Sequence, residues 1–154
     1  MNIIKMMQFA VLIMLCMSIA VLPSTAEITI DEKVLNKTAN SITVVDEIGR
    51  TVTVDLPVKN IIVCDYRQME TLLAMGAEDK IVGVDTSFHT RYPFLGLKNA
   101  TEVSLTHATE MDYEKMLLLQ PDLVIVPRSQ GASADEVSKK LQGVPVLAFD
   151  LGHR

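Results

Sequence analysis

Three arginines and two tyrosines are the side chains of this sequence best suited to hold a ligand. They follow apolar runs or lie in polar loops, and they are Arg67, Arg91, Arg128, Tyr66 and Tyr92. A guanidinium group is planar and donates two hydrogen bonds at once, which suits carboxylate, phosphate or catecholate oxygens. A tyrosine ring can stack on a planar ligand, and its oxygen can ligate ferric iron. The pattern indicates a ligand site, and the alternative is that the arginines are separate surface charges and the tyrosines only pack.

The histidines give a weaker signal, although His89 and His107 could bind a metal or haem iron directly. His89 and His107 are 18 positions apart, and neither has a second histidine or a cysteine at the spacing of a metal site. No metal site is therefore predicted, and His153 carries little information. His89 is kept as a candidate ligand-binding residue because it shares the loop 86–101 with Arg91 and Tyr92, and long loops are often functional.

Motifs of catalysis are absent from the sequence. It has no Gly-x-Ser-x-Gly elbow, no phosphate-binding P-loop, no Gly-x-Gly-x-x-Gly and no His-Glu-x-x-His. Cys64 is the only conceivable nucleophile of the exported chain, and nothing in the sequence places a histidine beside it. We therefore predict that the protein is not an enzyme and needs no cofactor. A lone cysteine of this kind is either buried and inert or a reactive thiol, and burial is the expectation.

Length and charge set broad limits. The chain has 154 residues, enough for one domain, and a formal net charge of −5. Mild acidity argues against a nucleic-acid partner, which would require clustered lysine and arginine.

The first 26 residues predict an export signal. Lys5 precedes a long apolar run, and Ser24, Thr25 and Ala26 provide small residues for cleavage after Ala26. The alternative is an uncleaved membrane anchor. Cys16 follows bulky Leu15 and suits lipid attachment poorly. With either reading the remainder is predicted to be exported, to the periplasm or to the cell surface.

The elements that would position the ligand residues alternate between strand and helix. Residues 27–41 are polar without a clear period and are interpreted as a tether. Two β-rich runs around Gly49 predict a hairpin. After it, apolar runs and amphipathic segments predict strands at 60–65, 81–85, 123–126 and 144–149, a brief strand at 103–104, and helices that begin near Arg67, Asp112 and Ser133.

The segment 114–127 shows the pattern most clearly. An amphipathic helix must end near Gln120, because a residue before proline is pushed out of the helical region. The apolar strand 123–126 follows, and its composition is that of a strand covered on both faces. Ser133 and Glu136 fit a capping box for the next helix. Alternation of this kind predicts an α/β fold: a three-layer Rossmann-like lobe with a mainly parallel sheet and an N-terminal β-hairpin. The ligand residues would meet at the carboxyl edge of that sheet, with Asp150 after the last strand.

An ordered set of short motifs also resembles one family. In chain order they are D-x-x-G-R at 46–50, IIV at 61–63, ETLLAMGA at 70–77, IVGV at 81–84, MDYEKM at 111–116, LQPDLVI at 119–125 and VPV at 144–146. Together they resemble the amino-terminal lobe of the periplasmic binding proteins that serve iron-siderophore, haem and cobalamin ABC transporters. The resemblance assigns residues 42–154 to that lobe.

The resemblance implies a ligand, a partner and a missing half. The ligand would be a metal chelate held between two lobes, and the partner would be a membrane permease. Glu114 matches the position of the family's transporter-docking glutamate; its alternative is an ordinary solvated residue. The sequence ends where the helix that joins the lobes would begin, so we expect either a fragment of an interrupted gene or a free-standing lobe. A free-standing lobe could pair with a separate second lobe, or with itself as a homodimer, through an exposed strand edge and its cleft face, and act as an interaction module.

Overall fold

A computed structural model of the chain describes residues 33–86, 88–89, 92–95, 97, 99–104 and 110–149. The predicted signal peptide with Cys16, residues 27–32 of the predicted tether, Arg91, His107, Asp150 and His153 lie outside the described residues. Within those ranges no helix is long and apolar enough to cross a membrane.

A small antiparallel sheet comes first in the chain. Its strands are β1 (Val34–Lys37), β2 (Ser41–Val45) and β3 (Thr51–Asp55), in that spatial order. The predicted hairpin is confirmed as β2 and β3, and Gly49 takes a φ of 83° in the turn between them. The tether interpretation is wrong for β1. β1 is mostly exposed, and its register with β2 shifts between Val34 and Asn36. Its sequence therefore lacks the alternation of polar and apolar residues by which a half-buried strand is recognised.

The main sheet has five strands, and every pairing in it is parallel. They are β4 (Ile61–Val63), β5 (Ile81–Asp85), β6 (Thr101–Ser104), β7 (Leu123–Val126) and β8 (Val146–Ala148). Their spatial order is β6-β5-β4-β7-β8. The prediction of a mainly parallel Rossmann-like sheet is confirmed, and the brief strand predicted near Val103 is β6.

Helices α1 (Tyr66–Ala74), α2 (Tyr113–Leu118) and α3 (Ala134–Lys140) connect strands of this sheet. The side chains of Asp65 and Asp112 cap α1 and α2 by accepting backbone N–H bonds. The predicted cap at Ser133 is wrong. Ser133 already has helical dihedral angles, because the chain enters α3 through a 3-10 turn, and its hydroxyl donates to the carbonyl of Gln130 instead.

Apolar side chains cover both faces of the five-stranded sheet. On one face Ile62 and Val124 pack with Met116 of α2 and Val137 of α3. On the other face lie Val63, Val84, Phe88 and Met69 of α1. The predicted three-layer architecture is therefore confirmed. It explains why the strands are continuous apolar runs rather than alternating ones.

The outer edge of β8 is covered by the turn between β2 and β3. Buried Asp46 accepts from the N–H of Ala148 at 3.3 Å, and the N–H of Glu47 donates to the Ala148 carbonyl at 3.1 Å. The Arg50 guanidinium donates to Asp46 Oδ2 at 2.6 and 3.0 Å, to the Val146 carbonyl at 2.8 Å and to Asp135 at 2.6 Å. This Asp46–Arg50 pair therefore joins the small sheet to the large one.

The pair also sets the ionisation of Asp46. Burial alone would raise the pKa of Asp46, but hydrogen bonds from the Arg50 backbone and side chain and from Ala148 outweigh it, and the pKa is lowered. The carboxylate is thus held in its charged form by the same contacts that close the sheet edge.

The opposite edge strand, β6, is also partly covered. Met111 forms an antiparallel bridge with Ser104, and the N–H of Asp112 donates to the Val103 carbonyl at 2.9 Å. Lys115 reaches the carbonyl of Glu102 at 3.1 Å. Within the described part of this sheet, both edges therefore carry backbone or side-chain partners. Pairing of the lobe with itself or with a second lobe stays a prediction.

We predict that Asp46→Asn lowers the free energy of unfolding at pH 7 by roughly 1.5–3 kcal/mol, the range for hydrogen bonds to charged groups. The folded-state pKa is lowered, so the Asp46 contribution is present above the pKa of an unfolded aspartate, ~3.9, and is lost as the pH falls through the folded value. The measurement is urea unfolding by circular dichroism from pH 7 down to pH 3. Asp55→Asn, at an exposed position of β3, is the control. A difference from the unsubstituted protein that grows as the pH falls would contradict this account of Asp46.

Candidate functional site

The strand order reverses between β4 and β7, and that point defines the expected ligand edge. From β4 the chain proceeds outwards through β5 to β6 on one side of the sheet. It then returns to β7, on the other side of β4, and proceeds outwards to β8. In open parallel sheets, ligands bind outside the carboxyl ends of the strands at such a reversal. The segments there follow β4, β5 and β7, and they contain Asp65 to Arg67, Asp85, Phe88 and Arg128.

Arg67 is held by its neighbour in sequence. Its backbone N–H and its Nε both donate to Asp65 Oδ1, at 2.9 and 3.2 Å, and its Nη2 donates to Asp65 Oδ2 at 3.3 Å. Its guanidinium carbon lies 5.5 Å from the centroid of the Tyr66 ring. The pair of N–H donors that was expected to bind an anionic ligand is therefore already used by Asp65, and the Arg67 side chain is held in place.

Four aromatic side chains form a continuous group beside Arg67, which we call the aromatic rim: Tyr66, Phe88, Tyr92 and Phe94. Tyr66 and Tyr92 stack with centroids 5.0 Å apart and planes at 17°, and Phe88 stacks on Tyr92 at 6.1 Å. Phe94 meets the edge of Tyr92 at 6.1 Å and is 74% exposed. The structure thus brings together the two predicted tyrosines, and it adds two phenylalanines that the sequence analysis did not place at the site.

His89 is engaged in the scaffold behind this rim. Its ring packs edge-on against Phe88 at 5.4 Å, and its Nε2 lies 3.2 Å from the carbonyl of Ala100. Within the described ranges no group of three His, Cys, Asp or Glu side chains is arranged to hold a metal ion. The geometry therefore gives His89 a packing role next to the rim.

A small cavity of about 160 Å³ opens beneath the rim. Its lining includes Asp65, Tyr66, Arg67, Asp85 and Phe88. Sites for small molecules usually enclose ~300–1,000 Å³, so this cavity can hold only part of a ligand. A larger hollow of about 850 Å³ touches Ile81 and Thr101, the first residues of β5 and β6, so most of it lies towards the amino edge of the sheet. Phe94 also lines this hollow, so the outermost ring of the aromatic rim reaches it.

Cys64, the last residue before Asp65, is buried, as expected. Burial, followed by the charges of Asp85 and Asp65, raises the pKa of its thiol to about 12. Since the thiolate is the reactive form, this cysteine is not a nucleophile at neutral pH.

Two further predicted residues lie apart from the rim. Arg128 begins the exposed turn after β7, at the same sheet edge but on the other side of the reversal. Glu114 lies in the first turn of α2 and is exposed, and Leu118, one helical turn further on, is 83% exposed. The joint ring of three arginines stays a prediction, because Arg91 is outside the described residues.

Gln68 is a residue of this edge that the sequence analysis missed. It is 3% exposed, and its Nε2 donates to the carbonyls of Val126 and Phe149. The signal available in the sequence was a polar residue in the first turn of an amphipathic helix, directly beside Met69. That signal does not reveal which strands the amide would reach.

Comparison with known proteins places the chain among solute-binding proteins. A family model described as periplasmic binding protein matches residues 61–153. An uncharacterised ABC transporter substrate-binding lipoprotein of Bacillus subtilis, YvrC, is 32% identical over 123 residues, which are 78% of this chain and 37% of that protein.

Solved structures of similar fold agree. A periplasmic solute-binding protein from Veillonella parvula superposes with a TM-score of 0.63 at 24% identity, over 74% of this chain and 36% of its own. The heme-binding protein HmuT superposes with a TM-score of 0.56 at 27% identity, over 75% of this chain and 36% of its own. The chain thus spans about a third of the length of these relatives.

We predict that Cys64 resists alkylation in the folded protein. In a Cys16→Ser variant, which leaves Cys64 as the only thiol, iodoacetamide at pH 8 should react only after urea is added, because the thiol is buried and protonated. Mass spectrometry measures the modified fraction, and the urea-unfolded sample is the positive control. Rapid labelling of the folded protein would contradict the description of Cys64 as inert.

Proposed function

Because the chain belongs to the periplasmic binding protein family, we propose that it is a solute-binding lobe that takes up a metal chelate and delivers it to an ABC importer. The observation that carries the ligand class is the aromatic rim at the carboxyl edge of the sheet, next to Arg67. The ligands that we propose are an iron-siderophore, haem or a corrinoid of the cobalamin type.

The rim suits a planar or aromatic-rich ligand. Tyr66 and Phe94 are 40% and 74% exposed, so they offer ring surface to a partner. One face of Tyr66 and one of Tyr92 is taken by their mutual stacking, which fixes both rings before a ligand arrives. Rings that are already ordered lose little conformational freedom on binding. The heme-binding protein HmuT, similar to this chain, is a precedent for such a ligand.

The charges at the edge favour a chelate of low net charge. The described groups are two carboxylates, Asp65 and Asp85, and two guanidinium groups, Arg67 and Arg128, which sum to zero. Arg67 is engaged by Asp65, so it adds orientation and a cation next to Tyr66 rather than an unpaired positive charge. A neutral or weakly charged chelate can then bind without leaving a buried charge uncompensated.

Binding rather than catalysis fits the chemistry of the site. The family consists of solute-binding proteins, and the cysteine at this edge is protonated at neutral pH. The chelate is cargo in this proposal, and no resident cofactor takes part.

The importer would meet the lobe through Glu114. Its exposed position in α2 allows an ion pair with a basic residue of a membrane permease, and such a pair fixes orientation more than it adds affinity. Delivery to a permease requires export, and the relative YvrC is a lipoprotein by name. We propose a periplasmic or cell-surface location on these grounds.

We predict that the purified protein binds at least one ferric siderophore, haem or cobalamin in isothermal titration calorimetry. Tyr66→Ala should weaken the binding by roughly 3- to 10-fold, since an aromatic contact contributes ~0.5–1.5 kcal/mol beyond its area. Tyr113→Phe, at α2 outside the rim, should change nothing and is the control. If no heat and no spectral change appear with any of these chelates, the ligand proposal is lost.

We predict that Glu114→Lys leaves chelate affinity unchanged and lowers uptake of the labelled chelate by cells that carry the importer. Reversal of a paired charge should reduce importer binding by about tenfold or more, that is ~1.5 kcal/mol. Glu78→Lys, exposed in the turn after α1, is the matched control. Equal uptake with both variants would remove Glu114 from the docking surface.

A further inference from the structure

Gln68 lies where three parts of the fold meet. It belongs to the first turn of α1, directly after Tyr66 and Arg67, and its side chain is buried. Its Nε2 donates to the carbonyl of Val126, the last residue of β7, at 3.3 Å, and also to the carbonyl of Phe149, the residue after β8. One amide therefore connects the turn that carries the rim to the carboxyl ends of two other strands.

The orientation of this amide is determined by its partners. Both partners are carbonyl oxygens, so only the NH₂ side of the amide can face them. The Oε1 atom is buried, and none of the described residues donates a hydrogen bond to it. A buried acceptor without a donor is unfavourable, and an apolar side chain of the same size would fill the space without that cost. Packing alone therefore does not account for glutamine at this position.

We propose that Gln68 is a positioning residue for the aromatic rim. By fixing the first turn of α1 to the ends of β7 and β8, it sets the direction of the Tyr66 ring and so the stacking of Tyr66 on Tyr92. The proposal rests on the proposed function for its ligand, but it concerns the geometry of the rim, which can be observed without a ligand.

Tyrosine circular dichroism provides that observation. The chain has no tryptophan and three tyrosines, so its near-ultraviolet signal reports Tyr66, Tyr92 and Tyr113, with a contribution from phenylalanine. All variants are made in a Tyr113→Phe background, which leaves the stacked pair as the tyrosine signal. Gln68→Leu removes the two hydrogen bonds, and Glu70→Leu, exposed on the same helix, is the matched control.

We expect Gln68→Leu to lose most of the tyrosine signal while keeping its far-ultraviolet spectrum, and to bind the chelate roughly tenfold more weakly. The Phe149 carbonyl loses the Gln68 donor, and the Val126 carbonyl keeps the Phe149 N–H at 3.0 Å but no longer connects α1 to β7. Glu70→Leu should match the parent in both measurements. If Gln68→Leu keeps the parent's tyrosine signal and affinity, the positioning role is overturned even where its stability in urea has fallen.

Gln68→Glu gives a second test that does not depend on Gln68→Leu folding. At pH 7.5 its carboxylate would face two carbonyl oxygens, which disfavours the charged form and raises its folded pKa. Contact with the carbonyls should therefore return as the pH falls towards 5, where the protonated acid donates to one of them. The tyrosine signal should then recover relative to the parent at the same pH. A tyrosine signal that is lower than the parent's by the same amount at pH 7.5 and at pH 5 would contradict the proposal.

The two proposals fail in different ways. If the parent protein binds none of the chelates, the ligand proposal fails, and the tyrosine spectra of the Gln68 variants still decide the role of Gln68. If the parent binds a chelate and the Gln68 variants retain both spectrum and affinity, only the positioning role fails.

Discussion

The structure depends on a parallel sheet that is covered on both faces. Parallel strands need crossover connections, and those connections place α1 on one face and α2 and α3 on the other. Because every crossover returns the chain to the same end of the sheet, all five strands finish at one edge. The aromatic rim, the Asp65–Arg67 pair and Arg128 all lie along that edge, although 61 positions separate Arg67 from Arg128 in the chain. The position of the site is therefore a consequence of how the sheet is buried.

A buried sheet also needs its outer strands satisfied. At β8 this is done by Asp46 and Arg50, whose charged groups bind backbone atoms of Val146 and Ala148. At β6 it is done by Met111, Asp112 and Lys115. The D-x-x-G-R motif thus has a structural explanation. Its aspartate and arginine attach the small sheet to the large one, and its glycine allows the turn that brings them together. These contacts leave the carboxyl edge as the surface of the main sheet that is best placed to bind a partner or ligand.

Elements whose local sequence decides their structure were predictable. The strands β4 and β7 are apolar runs, and Gly49 marks a turn that requires positive φ. Features decided by distant partners were not predictable. β1 forms because it pairs with β2. Ser133 does not cap α3 because a 3-10 turn precedes the helix and the Ser133 hydroxyl binds the Gln130 carbonyl within it. At the candidate site, Tyr66 and Tyr92 were expected to act together. Two other contacts were not expected: Arg67 binds Asp65, and Gln68 binds the Val126 carbonyl. Both depend on side-chain directions that no sequence period encodes.

The described site is too small to enclose a whole ligand. The cavity beneath the rim measures about 160 Å³, whereas a bound small molecule usually has 70–90% of its surface buried in a pocket of ~300 Å³ or more. A chelate resting on Tyr66 and Phe94 alone would keep most of its surface in water. In the proposed function the rim is therefore one wall of a binding site, and high affinity for a chelate requires a second surface opposite it. The exposure of Phe94, with an apolar ring 74% in solvent, is what such an open wall requires. A second wall that covered the rim would bury these rings and strengthen the interaction between Arg67 and Tyr66, because cation–π attraction increases as water is excluded.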